Sequence, residues 1–144
     1  MQYPTNWKLS EKAYYPDHPD EKRSQVVGFC SPHEINSKLD NFAIYVKTLH
    51  SHMSLDTYSD KHISDLRKKF FLIDAAATTF AANPAYKVVY SDNKGYNSME
   101  VWTIKQFTQS EYNIYITKYT AKSQDYSTYL PSVQKMINTF EIMK

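Results

Sequence analysis

Alternating and helical hydrophobic spacings divide this chain into strands and helices. Residues 85–91, 98–107 and 112–121 are rich in β-branched and aromatic side chains with period-2 alternation, as in Tyr86, Val88 and Tyr90. The turn-forming stretch Asp92-Asn93-Lys94-Gly95 separates the first two, and residues 108–111 separate the second pair. Short loops of that kind predict an antiparallel meander. After it, Tyr126, Tyr129, Leu130, Val133, Met136, Ile137 and Phe140 recur at helical spacing, so a final helix over 126–140 docks its apolar face on the sheet. Pro131 is comfortable only in a first helical turn, which starts the regular helix near Tyr129 or puts a distorted turn before it.

The earlier half carries similar signals. Residues 25–31 (QVVGFCS) predict a strand with a bulge or close neighbour at Gly28, and Ser31-Pro32 ends it. Residues 42–49 alternate Phe42, Ile44 and Val46 against Ala43, Tyr45 and Lys47; because the second face is also partly apolar, both faces are expected to meet protein. Ser54 reads as an N-cap with Asp56 in the first turn of a helix. Its stripe is Leu55, Tyr58, His62, Ile63, Leu66 and Phe70, with Asp60, Lys61, Asp65, Lys68 and Lys69 facing out. Residues 71–80 (FLIDAAATTF) predict a strand despite three alanines, followed by a turn at Asn83-Pro84. The order is α+β, in one domain spanning residues 1–144, with no repeat or linker.

Charge and cysteine content narrow the function classes. Seventeen Lys and Arg against 15 Asp and Glu give a net +2, too small and dispersed for nucleic-acid or membrane-surface binding. Cys30 stands alone, so no internal disulfide forms and the redox compartment stays open. No run approaches the roughly 18 apolar residues of a membrane span. Tyr3-Pro4-Thr5-Asn6-Trp7 reads as the end of a first strand and a turn, which raises the expectation that a signal or anchor was removed upstream. Thirteen tyrosines and few glutamates lean the same way, toward an extracytoplasmic or secreted protein, without excluding the cytoplasm.

At this point the chain resembles a known family. Tyr-Pro-x-x-Trp at the start, Phe-Cys-Ser-Pro after a strand, Leu-Asp-Thr-Tyr opening a helix, Asn-Pro-Ala-Tyr-Lys-Val-Val-Tyr, Met-Glu-Val-Trp-Thr-Ile-Lys and Tyr-Leu-Pro-Ser-Val-Gln-Lys-Met-Ile-Asn-Thr-Phe are similar to PsbP-type domains, nearest the short versions outside photosynthesis. The resemblance implies a central antiparallel sheet with helices on both faces, an architecture shared with Mog proteins, and a non-enzymatic accessory domain. Photosystem II PsbP carries an N-terminal extension associated with calcium and chloride retention. The residues ahead of the first predicted strand do not resemble that extension, so a calcium or photosystem role is expected only as the alternative reading and rests on the resemblance alone.

The candidate chemistry is sparse. His50 and His52 are two apart, so a continuing strand would put both rings on one face where they could reach a metal. Their only further ligands would be Asp17, His18, Asp20 and Glu21, in a charged loop without the spaced oxygens and glycine of a calcium site. A divalent ion is expected to bind weakly at best, and no cofactor is expected. Cys30 reads as a small core residue, and Asp92 and Glu100 as ordinary surface groups. With only Gly28 and Gly95 there is no phosphate-cradling loop, and no metalloprotease or nucleophile-elbow motif occurs. Tyr45, Trp102, Tyr115 and Tyr119 on adjacent strands could form a stacking platform, but scattered lysines give no basic groove for single-stranded nucleic acid; core or protein-interface use outweighs it, and the four are the candidate partner surface. The expected function is a non-catalytic binding or assembly module, acting on an unidentified protein partner through exposed tyrosines gathered in one patch.

Overall fold

The computed structural model describes residues 8–10, 23–30 and 41–142. The predicted opening turn at Tyr3 to Trp7 and the loop residues Asp17, His18, Asp20 and Glu21 lie outside them. The elements are β1 (Lys8–Ser10), β2 (Arg23–Cys30), β3 (Asn41–Leu49), α1 (Leu55–Lys69), β4 (Phe71–Phe80), β5 (Asn83–Ser91), β6 (Tyr96–Gln106), β7 (Tyr112–Lys122) and α2 (Ser123–Asn138). Among the described residues the strands form one seven-stranded sheet in the order β1-β2-β3-β7-β6-β5-β4. Every described pairing is antiparallel. The predicted meander is present and extends back through β4.

Each face of the sheet carries its own core, as the two-sided apolarity of residues 42–49 requires. On one face α2 lays Val133, Met136 and Ile137 over Phe42, Ile44, Met99, Val101, Tyr115 and Tyr119. On the other, α1 lays Tyr58 and Leu66 over Ala43, Tyr45, Val88, Tyr90, Trp102, Ile114 and Ile116. Alternation along β3 explains the split: Phe42 and Ile44 point one way, Ala43 and Tyr45 the other. The architecture is therefore a sheet sandwiched between helices.

Local signals account for α1. The Ser54 side chain accepts from the backbone of Thr57 at 3.1 Å, and Arg67, Lys68 and Lys69 sit at the negative end of the helix. The Tyr86 hydroxyl donates to Asp56 at 2.8 Å, pinning the first turn to β5; that hydrogen bond, followed by the Asp56 charge, raises the tyrosine's pKa. At the far end Phe70 packs on Tyr90 with ring centres 4.7 Å apart.

Four details depart from the expectations. Pro131 lies well inside α2, which begins at Ser123, and is accommodated rather than starting the helix. The α2 start is held by Ser123, whose backbone and side chain donate to the Gly95 carbonyl at 2.9 and 3.0 Å. Gly95 takes φ +89° in that turn, the left-handed region that favours glycine. The turn expected at Asn83-Pro84 falls at Ala81-Ala82, whose φ values of 50° and 63° make a two-residue corner before β5. The bulge in β2 lies between Gln25 and Val27 and not at Gly28. Finally, the helix ends at Asn138, so Phe140 follows it and stacks on Phe80 at 5.2 Å while remaining half-buried.

That partial exposure lowers the expected cost of Phe140→Ala to about 1 to 2 kcal/mol, below the roughly 3 to 5 kcal/mol of a fully buried ring. Urea denaturation checks it, and a loss above 3 kcal/mol would mean the ring is enclosed.

Candidate functional site

The four aromatics considered as a surface are core residues. Tyr45, Trp102, Tyr115 and Tyr119 are between 0% and 9% exposed, and they divide between the two faces: Tyr45 and Trp102 lie beneath α1, Tyr115 and Tyr119 beneath α2. The sheet therefore brings them to no common platform. Among the described residues each tyrosine is buried or half-buried, and the half-buried ones, Tyr86, Tyr96, Tyr126 and Tyr129, lie on β5, β6 and α2. A helix covers each of the two faces, so neither pair of the four aromatics is free.

The histidine pair is also displaced from the expected geometry. β3 stops at Leu49, leaving His50 and His52 exposed in the connection to α1. His52 meets the edge of Tyr112, with ring centres 5.3 Å apart. Among the described residues no group of three or more histidine, cysteine or acidic side chains is arranged to hold a metal. Cys30 lies in β2, and its side chain is outside the described part.

The polar site that the structure does show centres on Glu100. This residue, expected at the surface, is only 5% exposed. It sits on the α1 face of β6, opposite Val88 on β5 and Lys118 on β7. One carboxylate oxygen lies 3.0 Å from Nε2 of His62, which α1 presents to the sheet. The other accepts from the Tyr90 hydroxyl at 2.5 Å. Burial alone pushes this carboxyl up. The His62 hydrogen bond and charge, the Lys118 charge and the Tyr90 hydrogen bond outweigh it and hold the group below the ordinary carboxylate value. Asp92, its partner in the surface reading, is a turn residue: its carboxylate accepts from the backbone of Lys94 at 2.8 Å and of Tyr96 at 3.0 Å.

Aromatic rings cage the histidine. Its ring stacks on Tyr58 at 5.6 Å and stands edge-on to Trp102 at 4.9 Å. Trp102 in turn donates its indole N–H to the buried Ser59 hydroxyl at 2.8 Å. This fixes the ring in one orientation. A cavity of about 170 Å³ opens beside it, lined by Lys47, Leu49, Met53, Tyr58, Lys61, His62 and Asp65.

A second feature is the β4 edge of the sheet, which no other strand among the described residues pairs on its outer side. β4 is the last strand in the order, and most of its side chains are exposed. Phe71 and Ile73 are 69% and 58% exposed. The strand holds no lysine or proline, two common protections against edge pairing; a register shift between Leu72 and Asp74 is its one irregularity. On the α2 face a groove of about 300 Å³ runs beside this edge, lined in part by Thr78, Lys87, Val101 and Gln134.

The arrangement of strands and helices also matches solved structures. LpqN of Mycobacterium tuberculosis, described as involved in cell envelope biogenesis, superposes with a TM-score of 0.76 at 12% identity, over 100% of this chain and 82% of that one. Cyanobacterial PsbP (CyanoP) of Synechocystis gives 0.60 at 15% identity, over 98% and 84%. The chain has a PsbP-like fold. A Pseudomonas aeruginosa protein of unknown function, PA94, shares it at 0.57 and 12% identity, over 96% and 99%. No protein-family model matches the chain, and no curated protein matches it in sequence. At such identities the PsbP-like likeness concerns the fold, and one fold hosts many functions. Among the described residues no helix is long and apolar enough to cross a membrane.

Proposed function

We propose that this PsbP-like chain is a non-catalytic, extracytoplasmic binding or assembly module that works by protein contact through its free β4 edge. The carrying observation is the pair Phe71 and Ile73, large apolar side chains left in water on an edge strand without lysine or proline. A strand of ten residues with an open edge can add an extended segment of a partner by backbone hydrogen bonding, with neighbouring side chains supplying selectivity. The envelope role described for LpqN and the fold shared with cyanobacterial PsbP support the compartment and the accessory character. This contact surface replaces the tyrosine patch.

A photo-crosslinking residue at exposed Thr78, compared with one at exposed Lys68 on α1, tests this in native cells. Discrete adducts are expected from Thr78 alone, and they should disappear when Phe71→Lys and Ile73→Lys are combined. Those positions are exposed, so stability should change by no more than about 0.5 kcal/mol per substitution. Equal adducts from both probes, or adducts indifferent to the double substitution, would reject the edge as the working surface.

A further inference from the structure

The cavity beside His62 is separate from the β4 edge, and its chemistry points to a ligand of its own. Its walls come from α1 (Tyr58, Lys61, His62, Asp65), the end of β3 (Lys47, Leu49) and the connecting Met53. At about 170 Å³ it holds the equivalent of roughly five or six waters at ~30 Å³ each. Pockets for drug-sized ligands start at about 300 Å³, so the space suits a single small ion or headgroup.

Charge selects the sign of that ligand. Among the described lining residues Lys47 and Lys61 face one acid, Asp65, which lies 4.0 Å from the Lys68 ammonium. His62 adds a directional group. Because the Glu100 carboxylate is an acceptor and takes Nε2, that nitrogen carries a proton, and Nδ1 is the ring atom left for a ligand. A protonated ring donates from Nδ1 while Glu100 keeps its partner. Among the described residues the groups facing the ring or its carboxylate also include the Tyr90 hydroxyl on β5, Lys118 on β7, Trp102 on β6 and Tyr58 on α1. With the Glu100 charge set against His62, the two lysines dominate the open side. Stacking on Tyr58 and Trp102 holds the ring in advance, so binding needs little reordering.

We propose that this cavity binds a phosphate-like oxyanion, held by the ammonium groups of Lys47 and Lys61 and, when the ring carries both protons, by Nδ1 of His62. Two ammonium groups from two elements suit a tetrahedral anion, which lysines hold as point charges. The chemistry is the same for free phosphate and for a phosphomonoester lipid headgroup.

The test is the His62 ring resonances in the full chain, followed at pH 6.5 in two arms: inorganic phosphate, and phosphatidylcholine vesicles containing phosphatidic acid. A saturable shift at His62, with none at exposed His50 and His52, is the expected result in at least one arm. The arm that responds identifies the source, free anion or lipid. Combining Lys47→Met with Lys61→Met should weaken the response by about tenfold or more, since two charge-assisted contacts are lost. Because the outer ends of these side chains carry no fold contact named above, thermal unfolding of the double variant should stay close to wild type. Absence of a saturable His62 shift in both arms, or a shift unaltered in a folded double variant, overturns the site.

Discussion

Glu100→Gln should lower stability by about 2 to 3 kcal/mol at neutral pH, and the deficit should shrink in acid. Glutamine keeps the shape but replaces a charged acceptor of two buried hydrogen bonds, and such bonds are worth roughly 1.5 to 3 kcal/mol. The sign of the pH effect follows from the carboxyl itself. Burial raises its pKa, and His62, Lys118 and Tyr90 more than reverse that, so the folded value lies below the unfolded one. A depressed carboxyl contributes stability above its unfolded pKa, about 4.3, and loses it as pH falls through the folded value. Urea denaturation at pH 7 and at pH 3.5 would show wild type converging on the variant. A deficit that stays constant, or grows, between those pH values would mean that the carboxylate is not stabilised by its partners.

Trp102→Ala is expected to cost about 3 to 5 kcal/mol, the range for deleting a fully buried large aromatic side chain. Trp102 is 0% exposed and stands at the centre of the α1 face, against Tyr58 and His62. Its hydrogen bond to Ser59 can be separated from its bulk. In a cycle of Trp102→Phe with Ser59→Ala, the two single costs should fail to add by about 0.5 to 1.5 kcal/mol, because each change removes the same bond. Additivity within 0.3 kcal/mol, measured by chemical denaturation, would mean the bond contributes nothing net.

The elements were legible because their signals are local. Ser54 capped its helix, residues 71–80 formed a strand although Ala75, Ala76 and Ala77 weaken that preference, and the three final strands paired as their loops required. The site was less legible because it depends on pairing across distance. His62 and Glu100 are 38 residues apart, and neither residue's neighbourhood names the other. One signal was present. Glu100 alternates with Trp102 on the same face of β6, and a carboxylate beside a buried indole beneath a second helix must find a partner. The stripe of α1 already contained His62, the titratable side chain best suited to that place. Tyr45, Trp102, Tyr115 and Tyr119 belong to the core and not to a partner surface, because whether an aromatic strand face is wet depends on a helix elsewhere in the chain.

The corner at Ala81-Ala82 shows long-range pairing overruling local preference. An L-residue in the left-handed region costs roughly 1 to 2 kcal/mol, and here two adjacent alanines adopt it where asparagine and glycine would be comfortable. Asn83 supports them with a side-chain hydrogen bond to the Ala81 carbonyl at 2.8 Å, while Phe80 and Ala85 bury themselves on either side. The bend is thus imposed by the strands it joins. In the language of folding landscapes it is a point of local frustration, and this hairpin owes its register to the sheet and core around it and not to the conformational bias of its own turn.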